Sequence, residues 1–133
     1  MVVLDHSRTV IKSGGILSKL ELLTGNDVVV RAALLAGANY FAGYPITPST
    51  EIMSGWAKAA ADNPKLEFLQ TEDETSAGMA TIGGLLAGKK AWTVTAGVGH
   101  VLMQDPLVLA ETLSMPFVMY VGQRGGPSTG TVI

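Results

Sequence analysis

From Thr24 onward the apolar residues fall into two kinds of segment, long runs with helical spacing and short compact runs, separated by glycine, proline, asparagine or aspartate. Such alternation marks βα units built around a parallel sheet, so the predicted class is α/β, a mainly parallel sheet flanked by helices. The pattern predicts a helix from about Asp27 to Ala36 with Asn26 as N-cap and Gly37 as stop, then a short buried strand over Asn39 to Ala42. Two prolines in the run Gly43 to Thr50 forbid regular structure and leave a stiff loop. Ser49 or Thr50 can cap a second helix reaching Ala61, and Leu66 to Gln70 reads as the next strand. A third helix is expected from about Asp73 to Ala87; Gly78, Gly83 and Gly84 inside it imply close packing on that face. Ala91 to Thr95 is a strand, Ala96 to Gly99 a tight turn, and Val101 to Leu113 a helix interrupted at Pro106, where Asp105 recaps it. That last helix is apolar all round, which implies burial against both the sheet and a second surface such as another subunit. Phe117 to Gly122 is a fourth strand, and Gln123 to Gly130 is a loop.

Residues 1–24 show no sustained periodicity and are read as an N-terminal arm, leaving 25–133 as one domain. Four strands are few for a doubly wound sheet, and a fold incomplete at its C-terminus is expected.

Composition narrows the chemistry. Of 133 residues 47% are apolar and 15% charged, and nine Lys+Arg against eleven Asp+Glu give a net charge of −2 with no basic cluster, so neither nucleic acid nor an anionic membrane is an expected partner. The longest uncharged stretch, Ala32 to Thr50, is broken by Gly37, Asn39, Gly43, Pro45 and Pro48 and is not a membrane span. Met1 to Lys12 carries Asp5, His6 and Arg8 where an export signal needs an apolar core, so a cytoplasmic location is expected. With no cysteine, the chain holds no iron–sulfur cluster on its own thiolates, and the spacing of His6 and His100 matches no zinc motif, so no metal site is expected on it.

Four loops follow strand C-termini: Tyr44 to Thr50, Thr71 to Glu74, Thr95 to His100 and Gln123 to Gly130. In open α/β sheets that edge carries the ligand crevice. Thr71-Glu72-Asp73-Glu74 fits the capping box, in which Glu74 returns to the cap amide; it equally fits a carboxylate that exchanges a proton with a ligand. Spacing leaves both readings open. Arg124, set among glycines, is suited to gripping a carboxylate bidentately, or is a solvated surface residue. The turn Thr95-Ala96-Gly97-Val98-Gly99 lacks the nucleotide-binding Gly-x-Gly-x-x-Gly pattern and is only a weak phosphate cradle.

Taken in order, Gly43-Tyr44-Pro45-Ile46-Thr47-Pro48-Ser49-Thr50-Glu51-Ile52, Gln70-Thr71-Glu72-Asp73-Glu74 and Gln123-Arg124-Gly125-Gly126-Pro127-Ser128-Thr129-Gly130 resemble the alpha subunit of 2-oxoacid:ferredoxin oxidoreductases, most of all the 2-oxoglutarate branch. The resemblance covers about Gly25 to Gly130 and implies a thiamine diphosphate-binding pyrimidine domain. It further implies a beta subunit that supplies the diphosphate and magnesium site and the iron–sulfur cluster, with electrons passing to ferredoxin and the acyl group to coenzyme A. Carried over by position, Glu74 would hydrogen-bond the aminopyrimidine ring nitrogen and activate the cofactor, Thr47 and Arg124 would bind the 2-oxoacid carboxylate, and Tyr44, Pro45, Thr95, Gly97 and Gly99 would line the cofactor site. Where the 2-oxoglutarate branch usually reads Thr-Ser-Gly-Pro-Gly, this chain has Ala96 and Val98 in place of the serine and proline. The expected function is therefore oxidative decarboxylation of a 2-oxoacid by a subunit that is inactive alone, with pyruvate or branched-chain substrates in related branches. The alternatives are a non-catalytic assembly module that keeps the fold, and a stand-alone nucleotide binder using the Gly97 to Gly99 turn.

Overall fold

The computed structural model describes residues 21–124. The expectations for the arm before residue 21 and for the Gly125 to Gly130 stretch lie outside those residues. The element order is α1 (Gly25–Leu35), β1 (Tyr40–Gly43), α2 (Thr50–Asp62), β2 (Glu67–Gln70), α3 (Glu74–Leu86), β3 (Ala91–Ala96), α4 (Gly99–Leu102), α5 (Gln104–Thr112) and β4 (Val118–Gly122). The four strands form one sheet in the order β2-β1-β3-β4, every pair parallel. The predicted α/β class is therefore the observed one. No helix among the described residues is long and apolar enough to cross a membrane.

The sheet is covered on both faces, as an all-parallel sheet requires. Registered partners point to one side, so Phe41 of β1 and Trp92 of β3 share a face with Val94. They pack there against Val30 of α1 and Ile52, Met53 and Trp56 of α2. Four aromatic rings organise this layer: Phe41 meets Trp92 edge-on at 5.0 Å and stacks on Phe68 at 5.9 Å, and Trp56 meets Trp92 edge-on at 5.3 Å. Trp56 keeps its indole N–H satisfied by donating to the Glu67 carbonyl at 3.0 Å, which ties α2 to β2.

The opposite face carries α3, with α5 against it. The glycine-rich character of α3 has a packing cause at two of its positions. A side-chain carbon on Gly84 would lie 2.7 Å from Tyr40 Cδ1 and 3.1 Å from the Cβ of Ala91, and one on Gly78 would run into Pro106 of α5. Gly83 does not share this role, since nothing lies within 4 Å of the same point on it.

Several local expectations are corrected. The N-cap of α1 is Thr24, not Asn26: the Thr24 hydroxyl and the Asp27 carboxylate form a reciprocal capping box. Asn26 lies inside the helix, where its amide donates to the Pro48 carbonyl at 2.8 Å. The break between α4 and α5 falls at Met103 rather than Pro106. Pro106 sits in the first turn of α5, where a missing N–H removes no intrahelical bond. Within this chain the segment is buried on one side: Pro106 and Ala110 are buried, whereas Val101, Leu102, Val108 and Leu113 are exposed, as is Val118 on the edge strand β4, so the second surface expected for it is not supplied by the described residues.

Two stability predictions follow from this packing. Gly83→Ala should stabilise the chain by about 1 kcal/mol through helix propensity. Gly84→Ala should destabilise it by about 1–3 kcal/mol, because overpacking against Tyr40 and Ala91 outweighs that gain. Urea unfolding of the two variants reads both signs, and equal effects would contradict the packing. The second prediction concerns acid. The Thr24 hydroxyl and amide hold the Asp27 carboxyl below its usual 3.8, and the Ser76 amide does the same for Asp73, the N-cap of α3. A depressed folded-state pKa gives stability that is complete above the unfolded value and is lost as pH falls through the folded one. The melting temperature should therefore drop as pH is lowered below about 4, and Asp73→Ala should flatten that drop; an unchanged acid profile would contradict the assignment.

Candidate active site at the carboxyl edge of the sheet

Because all strands run the same way, the loops that follow them gather at one edge. The two central strands, β1 and β3, lead into helices on opposite faces, α2 beside α1 and α4 leading to α5 beside α3, so the chain parts between them and leaves a crevice.

At this edge the three carboxylates of the Thr71 to Glu74 run take different roles. Asp73 is the N-cap and accepts from the Ser76 amide at 2.6 Å. Glu72 is exposed. Glu74, the first residue of α3, is turned inward and only 6% exposed. The capping box expected between Thr71 and Glu74 does not form, because Asp73 holds the cap and the Thr71 hydroxyl instead donates to the Asp73 carbonyl at 2.9 Å. The capping-box reading of Glu74 is therefore removed.

What receives the Glu74 side chain is the turn after β3. A side-chain carbon on Gly99 would lie 2.7 Å from Glu74 Oε1 and 3.0 Å from its Cγ, and would also collide with the Thr95 hydroxyl. Only glycine leaves room here for both groups. Thr95 is fully buried at the end of β3, and its Oγ1 has no hydrogen-bond partner among the described residues.

On the other side of the turn, Gly97 adopts φ = 52°, and the Arg124 guanidinium lies directly over it. A Cβ on Gly97 would be 2.6 Å from Arg124 Nε, so the glycine serves both the left-handed backbone and the close approach of the arginine. Arg124 is half-buried, not a freely solvated surface residue, and its Nε is buried without a partner among the described residues. Nδ1 of His100 contacts the Gly97 carbonyl at 2.6 Å and closes the turn. Val98, in the place of the usual proline, has φ = −74°, within the range a proline ring imposes, so the turn keeps that shape without the ring.

The structure thus brings Glu74, Thr95, Gly97, Gly99 and Arg124 together around the end of β3. Tyr44, Pro45 and Thr47 lie on the adjacent loop after β1, at the same edge, Tyr44 and Pro45 half-buried and Thr47 exposed. Three residues that join these loops were not among the predicted site residues: Ser49, which donates to the Thr95 carbonyl at 3.2 Å; Gly122 of β4, which lies against Ser49; and Asn26, which holds Pro48 from α1. Ser49 and Asn26 carried only helix-capping signals, and nothing local marks Gly122.

Residues 31–133 match the family described as pyruvate flavodoxin/ferredoxin oxidoreductase, thiamine diphosphate-binding. The chain is 46% identical over 114 residues to the 2-oxoglutarate synthase subunit KorA of Archaeoglobus fulgidus, an alignment covering 84% of this chain and 32% of that protein. It is 44% identical over 114 residues to the same subunit of Methanocaldococcus jannaschii, covering 84% and 30%. Among solved structures it is similar to a 2-oxoglutarate:ferredoxin oxidoreductase from Magnetococcus marinus with 2-oxoglutarate, coenzyme A and succinyl-CoA bound, with a TM-score of 0.77, 36% identity, and 83% of this chain and 19% of that one covered. The chain therefore spans about a third or less of the length of these relatives. The match to the family model over residues 31–133 establishes that the chain belongs to the pyruvate flavodoxin/ferredoxin oxidoreductase family, in its thiamine diphosphate-binding domain.

Proposed function

We propose that this chain contributes the pyrimidine-binding part, residues 25–133, of the alpha subunit of a 2-oxoacid:ferredoxin oxidoreductase. The reaction is oxidative decarboxylation of a 2-oxoacid to its acyl-coenzyme A with electrons delivered to ferredoxin. Identities of 46% and 44% to 2-oxoglutarate synthase subunits support 2-oxoglutarate as the substrate. The observation that carries the proposal is the Glu74 carboxylate, buried at the start of α3 and seated against a turn in which only glycine leaves it room.

The residues present fit thiamine diphosphate. A buried carboxylate suits a ring nitrogen, and the unpartnered Thr95 hydroxyl beside it offers a second polar contact in the same crevice. When bound, the cofactor supplies a carbon nucleophile and an electron sink for decarboxylation. Glu74 holds a proton at the pyrimidine ring nitrogen. Gly97 and Gly99 leave room at the turn for Arg124 and Glu74, and Tyr44 and Pro45 would close the crevice from the β1 side. Thr47 and Arg124 bind the 2-oxoacid carboxylate; the buried, unpartnered Arg124 Nε supports this role, since a guanidinium held over a glycine turn is ready for an anionic partner. A carboxylate that must leave as carbon dioxide is to be oriented without being overstabilised in the ground state.

The remainder of the machinery belongs to a beta subunit carrying the diphosphate and magnesium site and the iron–sulfur cluster, in the cytoplasm. The exposed apolar side chains of Val101, Leu102, Val108 and Leu113 on α4 and α5 support burial of this face against another subunit.

The test is Glu74→Gln in the assembled enzyme. Turnover should fall by about 10²–10⁴, the range for loss of a positioned acid–base group, with subunit assembly unchanged by size-exclusion chromatography. Turnover near the wild-type rate in an intact complex would refute the assignment.

A further inference from the structure

Ser49 stands at the N-cap of α2, where a serine ordinarily accepts a hydrogen bond from the helix's own first-turn amides. It makes no such bond. Its hydroxyl instead donates across the crevice to the Thr95 carbonyl at 3.2 Å, and the residue is 1% exposed. The backbone of Ser49 also closes the turn that carries Thr47, through a bond from its amide to the Ile46 carbonyl at 2.8 Å. On the far side of the hydroxyl lies Gly122, two residues before Arg124; a Cβ on Gly122 would collide with Ser49 Oγ while remaining 3.6 Å from Ser49 Cβ, an ordinary contact distance. One small hydroxyl therefore meets three loops: its own, bearing Thr47; the end of β3, leading into the Gly97 turn that seats Arg124; and the end of β4, leading into Arg124 itself.

From this we infer that Ser49 is a positioning residue for substrate recognition, a pin that sets the separation between Thr47 and Arg124, with Gly122 kept side-chain-free to admit it. The inference rests on the reading of Thr47 and Arg124 as the carboxylate-binding pair. A capping role is excluded by the missing cap bond, and general core packing does not account for the hydroxyl, because a buried serine with no structural use for its oxygen is less favourable than alanine. The pin acts on the distance between two groups that must engage one carboxylate together, so its loss weakens substrate capture more than it slows chemistry on captured substrate.

The experiment uses the assembled alpha–beta enzyme and steady-state kinetics with 2-oxoglutarate, alongside thiamine diphosphate titration. Ser49→Ala should raise KM about tenfold, the factor carried by one hydrogen bond, with kcat changed less than twofold and thiamine diphosphate affinity retained. Gly122→Ala alone should raise KM further, because its new methyl displaces the Ser49 hydroxyl. In the double variant Ser49→Ala with Gly122→Ala, the methyl occupies the space the hydroxyl vacated, so KM should return to that of Ser49→Ala alone. Should Ser49→Ala fail to assemble, this volume-conserving pair carries the test against the wild type: its KM should be raised about tenfold, and a wild-type KM overturns the inference. Additive KM effects in the double variant, or an unchanged KM in Ser49→Ala, would overturn the inference. Thr47→Ala and Arg124→Lys serve as controls: a raised KM in both with none in Ser49→Ala overturns the pin alone, whereas an unchanged KM in both overturns the underlying carboxylate reading and the pin with it.

Discussion

The close approach of Glu74 to the glycine turn after β3 is the constraint on which the rest of this structure depends. The carboxylate is enclosed at the start of α3 by a glycine that cannot be replaced without collision and by a threonine whose hydroxyl has no partner among the described residues. The parallel sheet makes the approach possible. Its central strands end side by side and release their chains to opposite faces, so the start of α3 and the turn after β3 face one crevice.

Three glycines at this edge serve three different approaches. Gly99 admits Glu74, Gly97 admits Arg124, and Gly122 admits Ser49. In each case the space left by the missing side chain is filled by the polar end of another residue rather than by an apolar core group. The site is thus assembled by subtraction: glycines in the turn after β3, at the start of α4 and at the end of β4 create room into which side chains from α3, from the β1 loop and from beyond β4 are placed.

The order and type of the elements were legible in the sequence because the hydrophobic pattern and the turn residues agree with one another, and the strands begin or end within a residue or so of where the pattern places them. What was not legible was set by distant partners. Asn26 has the chemistry of an N-cap, but its amide is engaged by a carbonyl 22 residues away, so Thr24 caps α1. Glu74 satisfies the spacing of a capping box, yet Asp73 one residue earlier holds the Ser76 amide and frees Glu74 to turn inward. Gly83 and Gly84 are indistinguishable locally, and only the position of Tyr40 and Ala91 separates them. The loops that follow the predicted strands put Glu74 and Arg124 at the sheet edge, where the structure has them, while Ser49, which connects the loops, carried only an ordinary helix-start signal.

The central claim is that the buried carboxylate at the start of α3 is a contact for the thiamine diphosphate pyrimidine ring. Carbon-13 NMR of the glutamate side chains in the assembled enzyme, with the Glu74 carboxyl resonance assigned by substitution, measures that contact directly. Titration with thiamine diphosphate and magnesium should shift the Glu74 resonance in step with cofactor binding while the resonance of exposed Glu72 stays in place. A Glu74 resonance that does not move at saturating cofactor would contradict the account.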